Sequence, residues 1–97
     1  MPGERWLPVR GYAGFYEVSD RGRIYSLPRA ATAGGMLSLR RNSRGYHIVT
    51  LAKYGRIRTV TVGRLVLEAF DSPAAGRRAR HGPAGRADDS LANLTWR

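Results

Sequence analysis

The sequence predicts an α+β fold in which small antiparallel β-hairpins surround one short helix, and three observations support this. Residues 15–26 and 46–62 contain β-branched and aromatic residues on both sides of turn signals, a pattern typical of hairpins. Residues 63–70 carry apolar side chains at helical spacing. A chain of 97 residues suits one small domain, or two submotifs that share a modest core.

The chain begins with a segment in which Trp6 and Leu7 are expected to cover one end of the core. The first hairpin follows, with strands predicted at residues 15–18 and 23–26. Gly22 closes the turn between them, because glycine adopts the positive φ that such turns usually need.

The middle of the chain is predicted to hold a linker and a second hairpin. Residues 28–35, rich in proline and glycine, form the linker. Residues 36–41 are expected to form a short edge strand, and residues 40–45 a basic turn. Alternating β-branched residues then predict hairpin arms at 46–52 and 56–62.

Residues 63–70 are predicted to form the helix, with one apolar face and Glu68 on another face. The members of that apolar face are Leu65, Val66, Ala69 and Phe70.

The end of the chain holds the strongest candidate for chemistry. The neutral imidazole of a histidine such as His81 can accept a proton near pH 7. Glycines and a proline at 82–85 interrupt regular structure directly after it, so we expect His81 to end a strand. Residues 91–96 predict a returning strand that carries Asn93, so the two side chains could meet across the pair.

The charge of the chain indicates a polyanionic partner. The formal net charge is +10, and residues 21–67 contain nine arginines and Lys53 but no carboxylate. A genome rich in G and C would explain the excess of arginine over lysine, but it would not explain the missing acids. Double-stranded DNA is therefore the expected partner. The residues predicted to contact it are Arg21, Arg23, Arg40, Arg41, Arg44, Lys53, Arg56, Arg58 and Arg64.

Composition also excludes some classes of protein. Without cysteine there can be no disulfide framework and no thiolate zinc site, so no zinc is expected. No stretch is long and apolar enough to span a membrane, and no signal peptide is predicted, so the expected location is the cytoplasm.

Residues 6–26 closely resemble the NUMOD4 module, whose pattern is a tryptophan followed by Gly-Tyr-x-Gly-x-Tyr-x-Val-Ser-Asn-x-Gly-Arg-Val-x-Ser. The resemblance implies a hairpin that accompanies HNH nucleases and helps to bind DNA. The positions that fit are Trp6, Gly11, Tyr12, Gly14, Tyr16, Val18, Ser19, Gly22, Arg23 and Ser26.

Residues 80–96 resemble an HNH endonuclease motif, the ββα-metal or His-Me finger site of phage and intron-encoded nucleases. The resemblance makes His81 the general base and Asn93 the asparagine that fixes the hairpin and the imidazole. Arg80 stands where the family usually has a metal-binding Asn or Asp, and Gly63 replaces a histidine of the family's helix. The chain ends at Arg97, before the family's last helix, so a further C-terminal segment or a second chain is expected to complete the site.

An HNH site implies Mg²⁺ or Mn²⁺, bound through oxygen ligands, if the protein is active. Asp88 and Asp89 are the nearest carboxylates in sequence and are the candidate ligands. The alternative is that they cap the returning strand or pair with Arg86.

Three hypotheses remain open from the sequence. The chain is a metal-dependent HNH nicking endonuclease, an inactive DNA-binding module derived from one, or a phage-type protein that binds an acidic protein. Its predicted organisation is a NUMOD4-like hairpin at 1–30, a linker and basic turn at 31–45, and an HNH-like region at 46–97.

Overall fold

The computed structural model describes residues 3–29 and 32–97. Within these ranges the chain forms nine short strands, one α-helix and one 3₁₀ turn, and all the strand pairs are antiparallel. The predicted α+β class is confirmed. Residues 1–2 of the predicted N-terminal segment and residues 30–31 of the predicted linker lie outside the described ranges.

The first sheet contains four strands, which lie side by side in the order in which they occur along the chain. The predicted hairpin is confirmed to within one residue, as β2 (Tyr16–Ser19) and β3 (Ile24–Ser26). Gly22 has a φ of +84° in the turn between them, as the sequence predicts. The sheet is completed by β1 (Trp6–Pro8) and β4 (Gly35–Met36).

The N-terminal segment was expected to cover the core, and it forms an edge strand instead. Leu7 is 38% exposed, so the prediction that it covers the core is wrong. Val9 is fully buried and takes that role. The Trp6 ring packs edge-on against Tyr25, with ring centroids 6.5 Å apart.

The predicted edge strand at 36–41 is divided between two sheets. Met36 belongs to β4 of the first sheet, whereas β5 (Arg40–Arg41) pairs with the second hairpin. That hairpin is confirmed as β6 (His47–Lys53) and β7 (Arg56–Thr61). Its turn residues Tyr54 and Gly55 have φ values of +52° and +79°, both in the positive region that tight hairpin turns require.

The helix α1 (Val62–Phe70) begins one residue earlier than predicted and packs against strands of all three sheets. The buried face of the helix differs from the predicted one. Leu67 is only 1% exposed and belongs to it, whereas Ala69 and Phe70 are only half-buried. Among the described residues, no helix is long and apolar enough to cross a lipid bilayer.

The third sheet pairs β8 (Ala79–His81) with β9 (Leu94–Trp96), and a 3₁₀ turn at Leu91–Asn93 leads into β9. One core joins the three sheets and the helix. Its largest fully buried apolar side chains are Val9, Val18, Ile24, Leu51, Val62, Val66 and Leu67.

Candidate active site and nucleic-acid interface

His81 is the last residue of β8 and pairs with Leu94 of β9, so the third sheet fixes its backbone. The N–H of Gly82 donates to the carbonyl of Asn93 at 2.8 Å and closes the pair. A Cβ at Gly82 would lie 2.9 Å from the Asn93 side-chain oxygen, which explains why glycine occupies this position. His81 therefore ends its strand, as the sequence predicts.

Asn93 is buried, and its side chain holds the loop that follows His81. Its oxygen accepts from the N–H of Ala84 at 3.1 Å. Its amide group donates to the carbonyls of Gly85 at 3.1 Å and Asp88 at 2.9 Å. The expected contact with the His81 imidazole is not among its hydrogen bonds. Asn93 thus fixes the hairpin loop, whereas the link to the imidazole that the family resemblance also implies is not made by a hydrogen bond of its side chain.

The His81 ring is held by a buried carboxylate. Nε2 of His81 lies 2.7 Å from Oδ1 of Asp89, whose residue is only 5% exposed. The second oxygen of Asp89 lies 2.8 Å from Nδ1 of His47. One carboxylate therefore bridges two imidazoles that are far apart in sequence, a contact that the sequence analysis missed.

The other ring nitrogen of His81, Nδ1, is buried and has no hydrogen-bond partner among residues 3–29 and 32–97. The Tyr46 ring covers the imidazole at 5.2 Å between ring centroids, with a tilt of 40°. The guanidinium of Arg86 lies 4.8 Å over the centre of the Tyr46 ring and donates to the carbonyl of Arg44. A stack of arginine, tyrosine and histidine thus closes one side of the site.

His81 lies between two clefts that arginines line. We call the larger one, of about 350 Å³, the helix-side cleft, because Arg64 of α1 contributes to it. The loop-side cleft, of about 340 Å³, borders the loop held by Asn93. The arginines of the helix-side cleft are Arg44, Arg64, Arg77, Arg78 and Arg97, and those of the loop-side cleft are Arg80, Arg86 and Arg97.

The two candidate metal ligands are both engaged within the protein. One oxygen of Asp88 accepts the N–H of Ser90 at 3.0 Å and its hydroxyl at 2.6 Å, and these hydrogen bonds lower the pKa of Asp88. Asp89 binds the two histidines, and neither carboxylate pairs with Arg86. Asp88 therefore fixes the backbone at Ser90, directly before the 3₁₀ turn that leads into β9, rather than capping the returning strand itself.

The described residues do not fit a metal ion. Arg80 is exposed and cationic at the position where the family resemblance requires an oxygen ligand. Residues 3–29 and 32–97 contain no group of three or more His, Asp or Glu side chains placed to hold one. No step of the chemistry is therefore derived through a metal below.

The arginines predicted to bind DNA differ in whether they have hydrogen-bond or salt-bridge partners within the protein. Arg21 is exposed, as expected. Arg23 forms a two-pronged salt bridge with Glu4 and lies 5.7 Å over the Trp6 ring, so its charge is largely neutralised within the protein. This pairing lowers the pKa of Glu4 to about 2. Arg40 is exposed and donates to Thr50 at 3.2 Å.

The turn of the second hairpin forms a separate basic surface, the hairpin cleft, of about 650 Å³. Arg56 and Arg58 share one face of β7, as predicted, and both line this cleft. Lys53 is half-buried and donates to the carbonyl of Gly11 at 2.7 Å. This hydrogen bond joins the second hairpin to the loop between β1 and β2. The other lining residues are Arg10, Gly11, Tyr12 and Tyr54.

Several residues that line the two clefts beside His81 were absent from the predicted DNA contacts. Arg77, Arg78, Arg86 and Arg97 lie outside the acid-free run that focused the prediction, and only the structure brings them to His81.

The site combines a histidine at a hairpin end, a carboxylate that holds one of its nitrogens, and arginines in the clefts that it lines. This combination is typical of nucleic-acid-binding proteins with a nuclease site.

Comparisons with known proteins agree with this class. The NUMOD4 motif model matches residues 4–52. Over 92 residues the chain is 32% identical to the DNA endonuclease I-HmuI of Bacillus phage SP01. This alignment covers 94% of this chain and 51% of that protein. The solved structure of the HNH homing endonuclease I-HmuI matches with a TM-score of 0.84 and 30% identity, over 96% of this chain and 52% of that chain.

The chain therefore belongs to the NUMOD4 family, and it resembles an HNH homing endonuclease along nearly its whole length. It spans about half the length of the relative that it matches. That relative is a DNA endonuclease, and its solved structure concerns DNA binding and cleavage by it.

Proposed function

We propose that this chain binds duplex DNA through its arginine-lined clefts and nicks one strand, with His81 as the general base. The observation that carries the proposal is the position of His81 between two clefts lined by arginines, with a lone buried Nδ1. Hydrolysis of a phosphodiester needs a group that removes a proton from the attacking water, and a neutral imidazole can do so near pH 7.

The arginines support the phosphate side of this proposal. Guanidinium groups bind phosphate oxygens through paired N–H donors, so a ring of them can hold the DNA backbone. Two members of the helix-side cleft have internal partners. Arg64 lies 3.4 Å from Glu68, and Arg77 is bonded to Ser72. Arg44, Arg78 and Arg97 are exposed and are the first candidates for contact with phosphate.

Access to the base requires a small movement. Nδ1 of His81 is shielded from solvent, so a water molecule reaches it only when neighbouring side chains shift. The Tyr46 ring lies against the imidazole and borders both clefts. Binding of a phosphate near Arg86 would compete for the guanidinium that stacks on Tyr46, and so would open this side.

The finer details of the reaction rest on the HNH family rather than on the described side chains. Mg²⁺ or Mn²⁺ is the proposed cofactor, and no zinc is involved. The location proposed from the similarity to a phage protein is the cytoplasm of a bacterium or an infected cell. Because the residues present do not fit an ion, the metal requirement is part of the test.

A second candidate function is DNA binding without cleavage. It is favoured by Arg80 at the family's ligand position and by the internal engagement of Asp88 and Asp89. The two candidates share the binding step and differ only in the chemistry.

The experiment is nicking of supercoiled plasmid with Mg²⁺, with Mn²⁺ and with chelator, beside binding of a labelled duplex followed by fluorescence anisotropy. His81→Ala should lower the nicking rate by about 10²- to 10⁴-fold, the usual contribution of a general base, and leave the affinity for DNA nearly unchanged. Thr95→Ala is the control, because Thr95 is exposed on the same hairpin.

Binding without nicking under all three conditions would favour the second candidate. Absence of duplex binding at low salt would exclude both candidates.

A further inference from the structure

Asp89 is the most buried charged residue near His81, and its environment is specific. Its carboxylate lies between two imidazoles, at 2.7 Å from His81 Nε2 and 2.8 Å from His47 Nδ1. Both distances are those of charge-assisted hydrogen bonds. The side chain of Asp89 is 4% exposed, and those of His81 and His47 are 7% and 23% exposed. The three groups therefore form a chain that runs from half-buried His47 to the candidate base.

The directions of these two hydrogen bonds follow from the chemistry of the groups. An ionised carboxylate accepts hydrogen bonds but cannot donate them. His81 must therefore carry its proton on Nε2, and His47 must carry its proton on Nδ1. A neutral His81 has only that one ring proton, so its Nδ1 keeps a free lone pair. This is the nitrogen that has no partner among residues 3–29 and 32–97.

The position of Asp89 is fixed by close backbone packing. A Cβ at Gly22 would lie 2.7 Å from the Cβ of Asp89 and 3.0 Å from its carbonyl oxygen. A Cβ at Gly63 would lie 3.4 Å from Oδ1 of Asp89 and 3.2 Å from Cε1 of His81. The first hairpin and the helix therefore enclose the carboxylate and the imidazole from two sides, which limits how far either can rotate.

We propose that Asp89 is a positioning residue that holds His81 in the Nε2–H tautomer and so reserves Nδ1 as the base, and that His47 holds Asp89 from the opposite side. This rests on the proposed nicking function for its effect on rate, but the tautomer itself can be measured without any reaction. Neither Asp89 nor His47 touches the DNA in this scheme. Their effect passes through the His81 ring.

The test is nitrogen-15 NMR of the chain labelled at histidine, at a pH where both rings are neutral. The sequence contains only two histidines, so the spectrum has four ring nitrogens. A protonated ring nitrogen and one with a lone pair have well-separated shifts. We expect His81 to be protonated at Nε2 and His47 to be protonated at Nδ1, the less common tautomer.

Asp89→Asn changes the hydrogen-bond pattern with little change in shape. An amide offers one acceptor and one donor group, so one of the two imidazoles must turn a lone pair toward residue 89 and change its tautomer. Adding His47→Asp supplies an acceptor for the new amide and directs its oxygen back to His81. The double variant should therefore restore the Nε2–H tautomer of His81.

Asp88→Asn is the matched control, because Asp88 is adjacent in sequence but its side chain is hydrogen-bonded to Ser90 rather than to either histidine. It should leave both tautomers unchanged. The proposal is overturned if wild-type His81 carries its proton on Nδ1, or if Asp89→Asn leaves both rings as they were.

The nicking rate then distinguishes failure of the proposed role of Asp89 from failure of the proposed nicking function. If the protein nicks DNA, kcat in Asp89→Asn should fall in proportion to the fraction of His81 rings that the NMR spectrum shows in the wrong tautomer, with little change in KM, and should recover in the double variant. If the wild type does not nick, the proposed chemistry fails, while the tautomers still decide the role of Asp89.

Discussion

Gly22 connects the first hairpin to the loop that carries Asp89, and its replacement by alanine gives a measurable cost with two separable parts. The first part is backbone strain, because φ at Gly22 is +84° and an L-residue in this region costs about 1–2 kcal/mol. The second part is steric, because the new Cβ would lie 2.7 Å from the Cβ of Asp89 and 3.1 Å from its carbonyl carbon.

The steric part cannot be avoided by rotating a side chain, since two of the three nearest atoms belong to the backbone of Asp89. That backbone is held on both sides. The carbonyl of Asp88 accepts from Asn93 at 2.9 Å, and the N–H of Leu91 donates to the carbonyl of Asp20 at 2.7 Å. Overpacking of this kind typically costs about 1–3 kcal/mol, so Gly22→Ala should lose about 2–5 kcal/mol in total.

Gly14→Ala is the matched control. Gly14 has almost the same φ, +85°, but nothing lies within 4 Å of the Cβ position. It should therefore lose only the strain of about 1–2 kcal/mol, and any gain from a less flexible unfolded chain is common to both variants.

The assay is urea unfolding of the two variants and the wild type, followed by tryptophan fluorescence. The difference between the variants isolates the contact with Asp89, and we expect it to be about 1–3 kcal/mol, or about 4–8 °C in Tm for each kcal/mol in a domain of this size. The His81 ring nitrogens should shift in Gly22→Ala and not in Gly14→Ala. Equal losses of stability in the two variants would refute the reasoning.

Three further predictions concern the core, the DNA surface and acid stability. Leu67→Ala should lose about 2–5 kcal/mol in urea unfolding, since Leu67 is 1% exposed; a loss below 1 kcal/mol would contradict its place in the core. Arg56→Ala and Arg58→Ala should each reduce the slope of log affinity against log salt by about 0.9 for duplex DNA, and should do so equally for unrelated sequences; an unchanged slope would remove the hairpin cleft from the interface. The pairing of Glu4 with Arg23 should stabilise the fold fully above pH 4.5, the ordinary value for Glu4, and this contribution should be lost as the pH falls toward 2, because the folded-state pKa is lowered to about 2. Glu4→Gln should remove that part of the pH dependence of the urea midpoint, and an identical pH profile in the variant would exclude the pair as its source.

Much of the local structure was predictable because it depends on residues near one another in sequence. The turn at Gly22 follows from one glycine between two apolar strands, and the turn at Tyr54 follows from the break between two β-branched runs. The edge strand Trp6–Pro8 was not predictable in the same way. It has only three residues and a proline, and it is stabilised by pairing with β2.

The role of His47 shows where local patterns stop being informative. Alternation along β6 places His47 on the same face as buried Val49 and Leu51, so its inward direction could have been inferred. The identity of its hydrogen-bond partner could not be inferred from the sequence. Asp89 is 42 residues further along the chain, and no local spacing links the two. Only the packing of the second hairpin against the third sheet brings them together.

The charge pattern was informative about the partner but less so about individual arginines. The absence of acids in residues 21–67 suggested that the arginines predicted to bind DNA were free to contact phosphate. Arg23 is not, because Glu4, outside that run, folds back onto it. Conversely, Arg78 and Arg97 lie outside the acid-free residues 21–67, and both line the helix-side cleft beside His81. A count along the sequence cannot include pairs that form only on folding.

The contact between Gly22 and Asp89 also changes how the two sequence modules are understood. The NUMOD4 match covers residues 4–52, and the candidate base lies well beyond it. Nevertheless, His47 near the end of that match contacts the carboxylate that orients His81, and Gly22 in its first hairpin lies against the Cβ and backbone of the same residue, Asp89. The module that resembles a DNA-binding accessory therefore also forms one wall of the candidate active site. A displacement of the first hairpin would therefore be transmitted to His81 through Asp89, which gives the module a direct physical route to the candidate base.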